Sequence, residues 1–244
     1  MLIAGTAVAA AAMLAWLWLV RMDSAMSAMD GMARHAMPVA PWSADYLIPA
    51  FIMWALMMVA MMLPSASPMI LLHARIDRSE RPRQRLLHSL LFVLAYLVVW
   101  TGFSIAAALA QSALIAAGLV SATSLALGDG AVAAGLLLAA AAYQLSRAKA
   151  ACLDQCRSPI HFVMRYMRPG AAGALRLGLA HGFYCLGCCW GLMLLLFVGG
   201  VMNLAWIAVL AAVVFIEKAA PPSWHASRWI AAALVAGAIG ILLL

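Results

Sequence analysis

The sequence predicts an all-α protein, a polytopic transmembrane bundle of about seven helices. Composition is the first reason: 68% of the 244 residues are hydrophobic and only 9% are charged. The mean hydropathy of +1.04 is the second. A soluble domain of this length would need a charged surface that this chain lacks. The third reason is a series of apolar stretches near the length of about 20 residues that crosses a bilayer.

Seven hydrophobic spans define the predicted elements. They cover residues 2–20, 47–72, 87–110, 130–147, 173–199, 202–218 and 227–244. A cleaved signal peptide at the first span would leave six helices, but no basic residues precede its apolar core, so we expect a retained helix. The chain then divides into residues 1–46, a helix followed by a Met-rich extracytoplasmic loop, and residues 47–244, the helical core.

The basic residues predict the orientation of the bundle. Thirteen of the 15 Lys and Arg residues follow the second, fourth and sixth spans, and only Arg21 and Arg34 lie on the opposite side. The positive-inside rule assigns the basic side to the cytoplasm. We therefore expect a multi-pass protein of a bacterial inner membrane with a cytoplasmic N-terminus. The net charge of +7 reflects these loops and does not indicate nucleic-acid binding.

Methionines are concentrated near the N-terminus, where thirteen of the seventeen fall within the first seventy residues. After the first span, Met26, Met29 and Met32 repeat every three residues, and His35 follows. Thioether sulfur suits Cu(I), including in oxidising compartments where free thiols would be lost. These residues are candidates for capturing copper outside the cytoplasm. The alternative, equally supported, is an interfacial helix whose methionines contact lipid.

Four methionines fall within six residues of the second span, and two prolines follow them. Pro64 and Pro68 predict a break in this helix, whose freed carbonyl groups would need protein or a water-filled cavity to satisfy them. Methionine is an ordinary packing residue, so its abundance alone is weak evidence for a metal site. At a rise of about 1.5 Å per residue, however, these sulfurs lie at the same depth as the cysteines of the fifth span. The four methionines are Met57, Met58, Met61 and Met62.

The strongest motif is the group His181, Cys185, Cys188 and Cys189 in the fifth span. At about 100° per residue, all four side chains fall within an arc of roughly 100° on one helix face. Three soft sulfurs and an imidazole on one face predict a site for a thiophilic metal, with Cu(I) and zinc as candidates. Cysteines can also serve as small packing residues. Three of them within five residues, in phase with a histidine, favour metal or redox chemistry.

Glu217 ends the apolar run of the sixth span. The fifth and sixth spans should form an antiparallel hairpin with its turn near residues 200–202, so Glu217 is expected at about the same depth in the membrane as Cys185. It is therefore a candidate metal ligand, a carboxylate that orients His181, or a proton acceptor. The alternative is a helix-end ion pair with Lys218 at the cytoplasmic interface.

Cys152 and Cys156 form a weaker motif, in what we expect to be the cytoplasmic loop between the fourth and fifth spans. Their spacing of i, i+4 would place both thiols on one face of a helix. They are candidates for a cytoplasmic metal relay or release site. The alternative is that they are unrelated cysteines in a loop where thiols stay reduced.

Two segments resemble a bacterial family of predicted metal-binding integral membrane proteins, a domain of unknown function. They are Met57-Met-Val-Ala-Met-Met-Leu-Pro64 and His181-Gly-Phe-Tyr-Cys-Leu-Gly-Cys-Cys-Trp190, followed by Asn203, Glu217 and Lys218. The resemblance covers most of residues 45–220. It implies a membrane-embedded helical fold and a metal site at the matching Met, His, Cys and Glu positions.

Together these features predict a membrane protein that binds a soft metal ion, most readily copper, for transport or for delivery to a membrane metalloenzyme or metallochaperone. One alternative is a thiol oxidoreductase that exchanges electrons with a quinone, although it should also have an extracytoplasmic cysteine pair. Another is an accessory subunit of a membrane complex. The chain has no Walker, dinucleotide-binding, HExxH or nucleophile-elbow motif, so nothing indicates ATP-driven pumping. The sequence favours a non-enzymatic role but leaves enzymatic activity open.

Overall fold

Helices joined by short connections make up the described part of the chain, which confirms the predicted all-α fold class. The structure is a computed structural model that describes residues 2–29, 40–77, 79, 81–121 and 124–243. The helices are α1 (Leu2–Met29), α2 (Ala44–Ile76), α3 (Pro82–Ala116), α4 (Gly130–Gln144), α5 (Arg147–Arg157), α6 (Pro159–Tyr166), α7 (Gly170–Leu194), α8 (Leu196–Gly199), α9 (Leu204–Ala219) and α10 (Ala226–Leu243).

Five helical segments of the described residues are long and apolar enough to cross a membrane. They include α1, α2, α3, the combined α7 and α8, and α10 with the short 3₁₀ turn before it. The pair α4 and α5, bent by 64°, is a sixth candidate. The difference from seven predicted spans lies in α9, which has 16 residues. A helix that short falls below the length of about 20 residues that a span needs.

The predicted break in the second span is wrong, because α2 continues through Pro64 and Pro68. A proline inside a helix frees the carbonyl group four residues earlier. For Pro64 this carbonyl belongs to Ala60, which accepts a hydrogen bond of 3.2 Å from Trp16 Nε1 of α1. For Pro68 it is the carbonyl of Pro64 itself, which accepts a bond of 2.7 Å from Ser67 Oγ. Side chains therefore replace both missing backbone bonds, and the helix stays continuous.

The centre of the bundle is formed by α2, α3 and α7, with α3 in contact with both of the others and α1 packed on the outside of α2. Small residues let α3 and α7 approach closely: a Cβ atom at Gly178 would clash with the carbonyl group of Phe92, and one at Gly182 would lie 2.8 Å from Val99. Close backbone approach at small residues is a usual way of packing helices in membranes.

The segment between the fourth and fifth spans, expected to be a loop, forms the two helices α5 and α6, while its location on the cytoplasmic side stays a prediction. After the bend, α5 packs along α7. Ser146 caps α5 by accepting a hydrogen bond of 3.1 Å from the amide of Lys149. This helix carries Cys152 and Cys156 to the core, and it buries Lys149, which is 1% exposed. One face of a segment expected to be solvated thus packs against the interior, where it buries Lys149 and Leu153.

The Met-rich segment after the first predicted span begins as helix, since α1 extends to Met29. Met26 and Met29 lie in its last turns, whereas Met32 and His35 lie outside the described residues. The proposed capture role of these four residues stays a prediction.

Candidate metal centre

Five sulfur atoms from α2, α5 and α7 meet in the core, and we call them the sulfur cluster. Cys188 Sγ lies 3.9 Å from Cys156 Sγ, and Cys189 Sγ lies 3.9 Å from Met62 Sδ. Cys188 Sγ and Cys189 Sγ also donate to the carbonyl oxygen of Cys185, at 3.1 Å and 2.9 Å. Each α7 cysteine is 1% exposed and Met62 is fully buried, whereas Cys156 is half-buried. Its members are Met62, Cys156, Cys185, Cys188 and Cys189.

The sulfur separations suit ligands of a shared metal ion. With metal–sulfur bonds of about 2.3 Å, as in zinc sites, two ligating sulfurs lie no more than about 4.6 Å apart. Both 3.9 Å pairs are within that limit. Among the described residues, no three His, Cys, Asp or Glu side chains already form a group that could hold a metal ion. An ion here would therefore depend on sulfur pairs and on the Met62 thioether, which are soft donors that select Cu(I).

The thiol of Cys185 has a cation and a phenol beside it. Lys218 Nζ donates to Cys185 Sγ at 3.0 Å and to Ser65 Oγ at 3.0 Å. The Tyr96 hydroxyl lies 3.1 Å from the same sulfur and 3.2 Å from the carbonyl oxygen of Met62. An ammonium group in contact with a buried thiol favours the thiolate, the form that binds metals.

The carboxylate of Glu217 is 1% exposed and forms a buried ion pair. Its Oε2 accepts a bond of 2.7 Å from Lys149 Nζ, and its Oε1 accepts one of 2.7 Å from Ser227 Oγ. Lys149 Nζ also donates to the carbonyl oxygen of Cys188 at 2.7 Å. Glu217 is therefore paired with Lys149 in the core, not with Lys218 at an interface. It reaches the sulfur cluster through Lys149, and its role as a metal ligand stays a prediction.

His181 lies one turn before Cys185 on α7 and is 3% exposed. Its ring stacks on Tyr96 at 5.5 Å and on Phe92 at 6.0 Å, and Phe162 packs edge-on at 5.6 Å. Neither ring nitrogen has a hydrogen-bond partner among the described residues. Buried polar atoms are normally paired, so a ligand bound by the imidazole would account for this exception. Metal ligation by His181 stays a prediction.

The four predicted methionines of α2 are all buried, at 2% exposure or less. Met62 contacts Cys189, while the other three pack in the same apolar core. Asn203, which belongs to the resemblance, has a local structural role. Its side chain accepts a bond of 3.1 Å from the amide of Trp206 and caps α9.

Sequence reasoning missed Lys149 and Tyr96. The sequence does contain a signal for a partner such as Lys149. Glu217 lies at the end of an apolar stretch, and a buried carboxylate needs a cationic partner. Tyr96 is a single tyrosine in a long apolar span, and nothing in its sequence context marks it. The contact of Cys156 with Cys188 depends on the bend between α4 and α5, which the hydropathy pattern does not indicate.

The fold and this site define a class: a polytopic helical membrane protein with a buried cluster of thiol and thioether sulfurs. Residues 51–241 match the PpoB2 family, which is described as a copper chaperone. Because the match covers most of the chain, the protein belongs to this copper chaperone family. The predicted relation to copper is thereby confirmed at the level of the family. No curated protein and no solved structure matches the chain significantly.

Proposed function

We propose that this protein binds Cu(I) in the sulfur cluster and delivers it to a membrane metalloenzyme or metallochaperone. It does so within a bacterial inner membrane, with its N-terminus in the cytoplasm. The observation that carries this proposal is the meeting of the half-buried Cys156 with Met62 and the three buried α7 cysteines in one cluster. Membership of a copper chaperone family supports the choice of metal.

The charges around the cluster support a monovalent ion held by thiolates. Uncompensated charge is costly in a medium that excludes water. Cu(I) with a pair of thiolates carries one net negative charge, and the Lys218 ammonium beside Cys185 balances it. Glu217 and Lys149 balance each other. The loaded cluster with Lys218 and the Glu217–Lys149 pair are then each neutral.

Zinc is the weaker candidate. Structural zinc sites take four ligands in tetrahedral geometry. The described residues hold no ready group of three His, Cys, Asp or Glu side chains. Cu(I) tolerates lower coordination and accepts thioether sulfur, so Met62 adds to a copper site and contributes little to a zinc site.

Titration of the purified protein in lipid nanodiscs tests the proposal. We expect the sulfur cluster to hold about one tightly bound Cu(I) per chain in competition with a Cu(I) chelator, with sulfur ligation in the X-ray absorption spectrum. Combined replacement of Cys185, Cys188 and Cys189 by Ser should abolish this binding, while circular dichroism confirms that the variant keeps its helices. Unchanged copper content in the folded triple variant would refute the site.

The thiol oxidoreductase remains a second candidate because of one contact. Cys156 Sγ and Cys188 Sγ are 3.9 Å apart, so a small rearrangement would allow a disulfide, whose sulfurs are separated by about 2.05 Å. Counting free thiols before and after addition of a soluble quinone distinguishes the two functions. Loss of this thiol pair on quinone addition, in a protein that binds no copper, would replace the chaperone proposal by the oxidoreductase.

A further inference from the structure

A cavity of about 570 Å³ lies where α2 ends and α3 begins, and the functional site described so far does not include it. The connection from α6 to α7 forms its other wall. The side chains in its lining that could contact a metal ion or hold a ligand in place are His73, Asp77, Ser79, His88, Met164 and Met167. Two histidines and two thioethers around one cavity are an unusual set for the end of an apolar bundle.

One of these histidines is held by a carboxylate. His88 Nδ1 lies 2.8 Å from Asp77 Oδ2, and Asp77 accepts bonds from the amide of Ser79 at 3.0 Å and from its hydroxyl at 2.6 Å. Burial raises the pKa of Asp77, but the bonds from Ser79 and His88 outweigh it and keep that pKa below its ordinary value. A histidine whose one nitrogen is held by a carboxylate offers the other to a metal, a common arrangement in metal sites. His88 Nε2 is the nitrogen left for a ligand.

The other histidine has an unsatisfied nitrogen. His73 is 4% exposed, lines the cavity, and its Nδ1 has no hydrogen-bond partner among the described residues. A buried nitrogen in this state is rare in folded proteins, and coordination of an ion would satisfy it. Imidazole nitrogen together with thioether sulfur is a donor set that accepts Cu(I).

A column of stacked rings joins this cavity to the sulfur cluster. The ring of His73 stacks on Phe92 at 5.3 Å, and Phe92 stacks on His181 at 6.0 Å. His181 in turn stacks on Tyr96 at 5.5 Å, and the Tyr96 hydroxyl lies 3.1 Å from Cys185 Sγ. The two histidines with unpaired nitrogens therefore belong to one column of ring contacts between the cavity and the cluster.

We propose that the cavity is a second Cu(I) site, formed by His73 Nδ1, His88 Nε2 and the Met167 thioether, through which copper passes by way of His181 to the sulfur cluster. This inference rests on the proposed copper-binding function. Asp77 is a positioning residue that orients His88. The volume of the cavity leaves room for these side chains to move onto the ion.

Direct binding at the cavity is measured with the three α7 cysteines of the sulfur cluster replaced. In the variant with Cys185, Cys188 and Cys189 replaced by Ser, Cu(I) titration should still detect one weaker site, with nitrogen and thioether ligation by X-ray absorption. Adding His73→Phe and His88→Phe should abolish it. His161→Phe, at an exposed histidine of α6 outside the cavity lining, is the matched control and should change nothing. Absence of the weak site, or its persistence without both histidines, overturns the inference.

Loading kinetics test the path with the cluster intact, and so do not depend on the folding of the triple variant. Transfer from a soluble Cu(I)–chelator complex to the cluster should be about tenfold slower in His73→Phe, within the range usual for lost metal-site partners. His161→Phe should load at the wild-type rate. If His73 only packs, phenylalanine removes an unpaired polar atom and raises thermal stability without slowing transfer. That outcome would also overturn the inference, whereas sulfur ligation in the wild-type protein tests the chaperone function separately.

Discussion

Two transmembrane helices, α7 and α10, have similar apolar compositions but very different surroundings. In the most apolar stretch of the combined α7 and α8, 56% is buried inside the protein. The corresponding share for the α10 segment is 11%. α7 contacts helices on several sides, whereas α10 packs mainly on α4 and exposes residues such as Trp229. Hydropathy alone does not distinguish these helices. The difference lies in the cysteines, the histidine and the glycines of α7, which make it the helix of the candidate site.

The largest expected effect comes from breaking the ion pair between Glu217 and Lys149. Glu217→Gln leaves the Lys149 ammonium buried without a counter-charge, and loss of one partner of such a pair typically costs about 3–5 kcal/mol. The measurement is chemical unfolding in detergent. Ser227→Ala, which removes the bond that α10 makes to the same carboxylate, should cost about 1 kcal/mol.

A double variant separates this role of Glu217 from direct ligation. Glu217→Leu combined with Lys149→Met removes both charges, and we expect it to recover most of the stability lost in Glu217→Gln. Copper affinity should recover as well. A double variant that is stable but binds no Cu(I) would instead make Glu217 a ligand of the ion.

The next largest effect is on Cu(I) affinity, after removal of the Lys218 ammonium group beside the cluster. Lys218→Met keeps the length of the side chain but removes the charge that balances the Cys185 thiolate. We expect Cu(I) affinity to fall by about 10–100-fold, the range typical of lost partners of metal ligands. Arg228→Met is the peripheral control, since it removes a cation at the start of α10, away from the cluster. Equal loss of affinity in both variants would show that the total charge of the protein matters and that the contact with Cys185 does not.

The smallest change in Cu(I) affinity should come from removal of the Met62 thioether. Met62→Leu keeps apolar volume but removes the sulfur that lies 3.9 Å from Cys189 Sγ. A thioether is a neutral, weaker donor than a thiolate, so we expect Cu(I) affinity to fall by about threefold to tenfold. Met69→Leu, at a buried position two turns further along α2, should leave affinity unchanged. Equal affinities in the two variants would remove Met62 from the site.

The sequence was sufficient to predict the helical membrane fold and the shared face of His181 and the α7 cysteines. Both follow from local periodicity, because hydropathy and an angle of about 100° per residue need no tertiary information. The meeting of the α2 and α7 sulfurs was predicted from depth alone, on the condition that the two helices are neighbours. The contact between Met62 and Cys189 fulfils that condition.

The remaining features depend on contacts between distant segments. The predicted helix break follows from the local chemistry of proline. At Pro64 the freed carbonyl group of Ala60 accepts a hydrogen bond from Trp16, which lies 44 residues earlier in the chain and which local reasoning does not include. The bend after α4 likewise decides whether Cys156 and Lys149 are solvated or buried. Their charges and spacing in the sequence are compatible with either location. Only the packing of α5 on α7 places them beside the cluster.

Glu217 and Lys218 are consecutive residues of α9, yet they contact different helices: Glu217 pairs with Lys149 of α5, and Lys218 contacts Cys185 of α7. Successive residues of a helix differ in direction by about 100°. Insertion or deletion of one residue earlier in α9 would therefore rotate both charges away from their partners at once. The positions of these two charges along α9 are therefore tightly constrained. The apolar positions of the helix, in contrast, could be filled by almost any aliphatic residue.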